Sequence, residues 1–492
     1  MRPRTICLAA AAVLATAATW ALTPPAANAA TAGCSVSYRV TGSWQGGFQG
    51  DIGITNLGDP LPAWSLGFTF PTSTQKVTQA WGGTATQTGA QVTITNAAWN
   101  GSLGTNATTS IGFIGSWSGS NPAPASFTVN GVTCTGGTTT PPTTPPPSTP
   151  PPVAGPAPAL KVSGNKLVTP DGTVVKLYGV NRSGGEFACI QGNGFWNGPM
   201  DQSSIDAMRA WKVRAVRVPL NEECWLGTPD VPAAYGGAAY QNEVKAYVNL
   251  LVRNGITPIV EMHWNYGLYT GTSSGCSDVK ATCQKPMPDA QYAPAFWTGV
   301  ATAFKGNDAV ILDLFNEPYP ERATGDATSG WKCWRDGGTC PGIGYQVAGF
   351  QGLVDTVRAT GATNVIMIGG LAYSNDLSQW LTYAPADPLH NLAAFAHIYN
   401  FNSCANTSCW DSQLAPVAAR VPLTLTEIGE NDCAHGFVDT LMDWADAHGV
   451  GYLGWTWNTW DCSTGPSLIS DYDGTATAYG QGLKAHLARV SS

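Results

Sequence analysis

The chain has 492 residues, with 24 Lys+Arg against 32 Asp+Glu and a net charge of −8; that length suits roughly two to four domains. Only 11% of residues are charged, against about 25% in an ordinary soluble domain. With no Lys/Arg stripe to neutralise phosphates, nucleic acid is excluded as a partner.

In chain order, residues 1–30 read as a secretory leader. Arg2 and Arg4 precede an apolar run from Ile6 to Leu22, and Ala27-Asn28-Ala29 supplies a small-x-small cleavage pattern. The run is mostly alanine, so a cleaved leader is expected rather than a membrane anchor. No later stretch is apolar enough to span a bilayer. A secreted protein without a membrane partner is expected. Of 13 cysteines, Cys7 lies in the leader and the remaining number is even. None has the C-x-x-C spacing of a zinc or redox site, so disulfides are expected. Cys34 and Cys134 bracket the first domain. Cys276/Cys283, Cys333/Cys340 and Cys404/Cys409 are close enough for small loops, which would leave Cys189/Cys224 and Cys433/Cys462. Spacing alone leaves this connectivity open.

Residues 33–135 carry short alternating runs between Gly, Asn and Pro turns: Ser35–Val40, Gly50–Thr55, Ser65–Phe70, Gln91–Thr95, Thr109–Ile114 and Ser126–Val129. None has a sustained helical period, so a β-sandwich is expected. Trp64 sits in an apolar alternation and reads as core. Trp44, Trp81 and Trp99 sit in polar, turn-like contexts and read as an exposed aromatic face. Flat rings of this kind stack on sugar faces. Trp117 stands in a similar loop and is left open. Residues 136–158 contain TTTPPTTPPPSTPPP, which cannot bury a core and reads as a semi-rigid linker.

Residues 159–490 alternate short apolar runs with amphipathic stretches. Strands are expected at Val174–Val180, Ala215–Leu220, Thr257–His263, Val310–Asn316, Val365–Gly369, Leu392–His397, Leu423–Glu427 and Gly451–Trp455. Helices are expected at Ser204–Trp211, Tyr240–Asn254, Tyr292–Phe304, Tyr345–Thr360 and Gly436–His448. Eight such units predict a (β/α)₈ TIM barrel, with a doubly wound sheet as the alternative. The multidomain chain is thus read as a β-sandwich followed by a TIM barrel.

Catalysis in such barrels takes place at the C-terminal strand ends. Here those ends carry Arg217, His263, Asn316, Glu317, His397, Tyr399, Glu427 and Trp457. Glu317 and Glu427, at the ends of the fourth and seventh strands, could face each other across the mouth. Glycoside hydrolysis needs such a carboxyl pair, and a spacing of about 5–5.5 Å gives retention. Gly271-Thr272-Ser273-Ser274-Gly275 matches G-x-S-x-G but lies on a loop tip rather than at a strand-to-helix turn. No H-E-x-x-H pattern occurs, and two-carboxylate chemistry needs no metal or cofactor.

With Leu314-Phe315-Asn316-Glu317-Pro318 as its best motif, the second domain resembles family 5 glycoside hydrolases over most of residues 160–490. The resemblance implies Glu317 as acid/base and Glu427 as nucleophile. It gives Asn316 the sugar 2-hydroxyl and sets Arg217 and Tyr399 around the nucleophile. His263 and His397 would line the same subsite, with Trp457 as the platform beneath that sugar. Glu427-Ile428-Gly429 departs from the family's usual Glu-Phe-Gly, and Glu430 is a rival nucleophile. Trp196, Trp225, Trp264 and Trp460 are open between platform and core. Val77-Thr78-Gln79-Ala80-Trp81 and Asn96-Ala97-Ala98-Trp99-Asn100-Gly101 resemble a family 2 carbohydrate-binding module, of the cellulose-binding branch. The expected protein is a monomeric, secreted, retaining endo-β-1,4-glucanase with cellulose or a related β-glycan as partner. β-Mannanase or another plant-wall β-glycan hydrolase is the alternative, ahead of an inactive binding protein.

Overall fold

The computed structural model describes residues 33–44, 46–98, 100–118, 121–138, 155–461 and 465–490, with the backbone alone for 41–44 and 136–138. The expected leader and most of the expected linker lie outside these residues. The chain divides into two compact units between Thr144 and Pro145.

The first unit is a sandwich of two five-stranded sheets. One has the order Thr135–Thr138, Cys34–Trp44, Gly47–Asn56, Thr108–Ser116, Lys76–Trp81; the other Gly83–Thr88, Gln91–Asn96, Ser65–Thr69, Phe127–Val129, Val132–Thr133. Strand Gly47–Asn56 buries alternate residues, the period of a sheet with one face inward. Trp64, Phe48, Phe68, Phe70 and Phe113 form the core, with Phe48 edge-on to Phe113 at 5.6 Å. The Cys34–Cys134 disulfide joins the two ends of the unit. Four strands escaped the sequence reading, Lys76–Trp81, Gly83–Thr88, Val132–Thr133 and Thr135–Thr138. All four are edge strands with largely polar sequences. Edges bury little, so apolar alternation is weak there.

The second unit is a closed barrel of eight parallel strands: β1 Tyr178–Asn181, β2 Ala215–Asn221, β3 Thr257–Trp264, β4 Ile311–Asp313, β5 Ile366–Ile368, β6 Leu392–Tyr399, β7 Leu423–Gly429 and β8 Gly451–Gly454. The first expected strand splits. Val174–Val175 joins a small sheet with Lys161–Ser163 and Lys166–Val168, and only β1 enters the barrel. Helices occupy Gln202–Ala210, Ala238–Arg253, Ala293–Phe304 and Gly436–His448 near their expected places. The expected helix Tyr345–Thr360 is shorter, Phe350–Ala359, because Gln346–Ala348 pairs with Gly337–Thr339. Helices Ala327–Asp336 and Ala478–Val490 were not expected.

The interior of the barrel has two layers. At the bottom, Ala215, Ile259, Ile311, Met367, Ala393, Phe395 and Leu453 pack with Leu160 and Leu167 of the entering hairpin. Strand side chains alternate between faces, so residues two further on also point inward. Those are Arg217 after Ala215, Glu261 and His263 after Ile259, Asp313 after Ile311, and His397 and Tyr399 after Phe395. Five disulfides are described, Cys34–Cys134, Cys189–Cys224, Cys276–Cys283, Cys333–Cys340 and Cys404–Cys409. Cys433 is also disulfide-bonded; its expected partner, Cys462, lies outside the described residues.

Candidate active site

Arg217 is fully buried at the centre of the upper layer. Its Nε donates to Asp313 Oδ2 (2.8 Å), Nη1 to Glu427 Oε1 (2.7 Å) and Asn181 Oδ1 (3.2 Å), and Nη2 to Asn316 Oδ1 (2.9 Å). Glu261 Oε1 lies 3.7 Å from Nη1. One guanidinium thus serves three carboxyl groups. Ionising all three of these buried groups would leave two negative charges uncompensated. Burial pushes Glu261 up to about 8 against the pull of Arg217. Burial also raises Asp313 well above the carboxylate range. Burial thus holds both groups back from ionising, and the charge of Arg217 is left chiefly to Glu427.

Glu427 reaches the interior through a bulge. β6 and β7 pair Ala396 with Leu425 but His397 with Glu427, so Thr426 is an extra residue. A bulge re-aims the side chains beside it. Thr426 Oγ1 lies 3.1 Å from His397 Nε2, and Glu427 Oε2 accepts from Tyr399 OH at 2.6 Å. Glu317 follows β4 and turns back to the same place, its Oε1 2.9 Å from His397 Nδ1. One ligand atom each from Glu317, His397 and Glu427 lie within 4.8 Å of one another. Three such donors could hold a cation, but both Glu427 oxygens already have donors and Arg217 would repel it.

The two acids differ in environment. The side chain of Glu317 is 24% exposed and that of Glu427 5%. Burial and then the neighbouring Glu427 hold the Glu317 carboxyl well above its usual range. Burial also raises Glu427, but Arg217 and the Tyr399 hydroxyl pull it back. Glu427 is therefore the first of the pair to ionise, and Glu317 keeps the proton. Burial lowers His397 well below its ordinary value and His263 to about 4, so both imidazoles are neutral.

The backbone at Glu317 is clamped from several sides. Trp297 Nε1 donates to Leu314 O (3.1 Å), Ser374 Oγ to Asn316 O (3.0 Å) and Tyr373 N to Pro318 O (3.0 Å). Ala372, Tyr373 and Ser374 all have left-handed φ, between 51° and 60°. Such a run costs about 1–2 kcal/mol per residue and persists only where its surroundings fix it. Here Asn375 Nδ2 bonds His397 O and Tyr373 packs 4.6 Å from Tyr319.

Seven of the expected barrel residues, Arg217, His263, Asn316, Glu317, His397, Tyr399 and Glu427, join one hydrogen-bonded network. Trp457 does not. It is fully buried and sits edge-on to Trp211 at 4.9 Å, so no sugar can reach its face. Trp455 takes the mouth position instead, stacked on His263 at 5.6 Å. Both tryptophans follow the end of β8, where strand alternation no longer predicts facing. Glu430 is no rival, because its Oε2 accepts from Phe437 N (2.8 Å) and Val438 N (3.3 Å) at the start of helix Gly436–His448. An anion there complements the helix dipole. Ser273, the serine of the G-x-S-x-G match, stands exposed in a turn and not between a strand and a helix. Trp225 is core, while half-buried Trp264 and Trp460 flank Phe187 at 6.2 and 6.0 Å. Trp196 stacks on Tyr240.

Sequence reasoning missed Asn181, Glu261, Asp313, Trp455 and Gln284. The first three continue inward alternations and were legible by period; Gln284 lies on a loop that no period reaches. In the sandwich, Trp81 ends an edge strand and is 45% exposed. Trp99 and the side chain of Trp44 lie outside the described residues. Trp117 is half-buried, its Nε1 donating to Gly47 O.

Comparison with known proteins follows this division. Residues 34–134 match the cellulose binding domain family. Endoglucanase CelA of Streptomyces lividans is 29% identical over 455 residues, 90% of this chain and 87% of that protein. Exoglucanase B of Cellulomonas fimi is 52% identical over 103 residues, which span 21% of this chain and 9% of that protein. A crystal structure of a β-glucanase from Saccharophagus degradans, 20% identical, shares the fold with a TM-score of 0.51, covering 68% of this chain and 94% of that one. Residues 171–461 match the cellulase family of glycosyl hydrolases, and the chain belongs to glycosyl hydrolase family 5, carrying a cellulose-binding module ahead of its barrel.

Proposed function

We propose that the protein is a secreted endo-β-1,4-glucanase that retains anomeric configuration. The close approach of Glu317 and Glu427, with Arg217 and Tyr399 committed to Glu427, carries this reading. A separation of at most 4.8 Å leaves no room for a water between acid and sugar, as inversion at about 6.5–9.5 Å needs. Glu427 attacks the anomeric carbon while Glu317 gives its proton to the departing glycosidic oxygen. Glu317 then takes a proton from water, which releases the sugar from Glu427. Asn316 holds the 2-hydroxyl of the sugar under attack, and Trp455 offers its ring face. Neutral His397 keeps Glu317 oriented.

Secretion draws support from the disulfides, which persist in oxidising compartments. The sandwich, with Trp81 and with Trp44 and Trp99 as its expected companions, anchors the enzyme on cellulose. Tethering raises the local substrate concentration without a new catalytic contact.

Soluble cellulose derivative, mannan, xyloglucan and xylan should be compared with product sizing and NMR of the first anomer formed. Random internal cleavage of the glucan with a β-anomer as first product is expected. Cleavage of mannan alone overturns the glucanase assignment, and an α-anomer overturns retention.

A further inference from the structure

We propose that Gln284, on the segment between β3 and β4, is a positioning residue for Asn316 and holds the place of the sugar 2-hydroxyl until substrate arrives. The inference rests on the hydrolase reading above, in which Asn316 meets that hydroxyl.

The amide of Asn316 can be oriented from its partners. Arg217 can only donate, so the atom 2.9 Å from Nη2 is Asn316 Oδ1. Its Nδ2 then faces His263 Nε2 at 3.3 Å and Gln284 Oε1 at 2.6 Å. His263 Nε2 must accept, which places the imidazole proton on Nδ1, 2.5 Å from Glu261 Oε1. Both N–H groups of Asn316 are therefore committed. A 2-hydroxyl can bond Nδ2 only by displacing one partner. His263 is fixed on β3 between Glu261 and the Trp455 ring. Gln284 is half-buried on a loop and is the partner that yields.

Gln284 is nevertheless well placed to hold its position. The Cys276–Cys283 disulfide ends one residue before it. On the other side, Lys285 N donates to Asn265 Oδ1 at 2.9 Å, and Lys285 Nζ to Asp278 O at 3.0 Å. The Gln284 amide also donates from Nε2 to the carbonyl of Glu317. One side chain thus touches the hydroxyl-binding amide and the backbone of the acid. Before binding it keeps Asn316 aimed, so a sugar oxygen finds a donor already oriented.

The test uses the full chain with 4-nitrophenyl β-cellobioside and its analogue lacking the 2-hydroxyl on the sugar that bears the nitrophenyl group. For Gln284→Ala, kcat/KM on the parent should fall about tenfold, the worth of one well-made hydrogen bond. On the analogue it should hardly change, so the preference for the hydroxyl narrows by the same factor. Gln284→Glu keeps an acceptor toward Asn316 and should restore that preference. Gln284→Met fills the space without polar atoms and should behave as Gln284→Ala. An unchanged preference in the Ala and Met variants, or an equal loss on both substrates, overturns the assignment alone. Failure of the parent enzyme to cleave the cellobioside overturns this assignment and the hydrolase reading together.

Discussion

The lower and upper halves of the barrel interior are built by the same strands and the same alternation, yet hold opposite chemistry. The lower layer, from Ala215 to Leu453, is an apolar plug closed by Leu160 and Leu167. Two residues further along, the same strands present Arg217, Glu261, Asp313 and His397. The plug contributes stability through dispersion and water exclusion and needs no exact pairing. The upper layer is stable only as a complete network, because each buried polar group depends on its partner. The halves meet where the Arg217 guanidinium lies 5.8 Å from the Phe395 ring.

This division can be tested from the largest effect downward. Glu427→Gln keeps the shape of the network and removes the attacking oxygen. Steady-state kinetics should show kcat falling by about 10⁴-fold or more, with a circular dichroism spectrum like that of the parent. Arg217→Leu strikes the junction and leaves three carboxyl groups without a cation. Denaturant titration should show a loss of about 3–5 kcal/mol, together with loss of activity. Ile259→Ala in the plug should cost about 2–5 kcal/mol while leaving kcat nearly unchanged. A large fall in kcat there would break the separation of the halves.

Acidity sharpens the contrast further. Glu261 is raised to about 8 in the folded protein, above its value in an unfolded chain. Between roughly pH 4.5 and pH 8 the native state holds a proton that the unfolded state has lost, so stability falls as pH rises through that window. Thermal melts should record the fall, on the order of a few kcal/mol, and Glu261→Gln should make it shallower, the rest coming from the other raised carboxyl groups, Asp313, Glu317 and Glu427. An equally steep fall in that variant would assign the effect elsewhere. The smallest effect lies in the sandwich. Trp81→Ala should weaken binding to crystalline cellulose by about 1 kcal/mol, read by depletion from solution, with hydrolysis of a soluble substrate unchanged.

Much of this arrangement was legible in the sequence because a strand buried on both faces reads as a short apolar run. The barrel strands declared themselves that way, the first only in part, and the polar residues at their ends followed. The reading weakened where period stops. Lys76–Trp81 and Gly83–Thr88 border their sheets and bury no residue fully, so their sequences carry little apolar signal. Trp457 came from the family resemblance, and nothing beyond the last residue of β8 fixes which tryptophan faces the mouth. The bulge at Thr426 left no mark in composition, although it lets Glu427 oppose His397. Gln284 comes to Asn316 through a loop whose path depends on a disulfide and a buried lysine, both set by tertiary structure.

The left-handed turn Ala372–Ser374 bears on how this protein could be improved. Glycine adopts that conformation without penalty, so Ala372→Gly is a ready route to a more heat-resistant chain. The same relief would loosen the segment whose Tyr373 N and Ser374 Oγ hold the backbone around Glu317. Durability and turnover are therefore set against each other at this turn, and selection for one alone should erode the other.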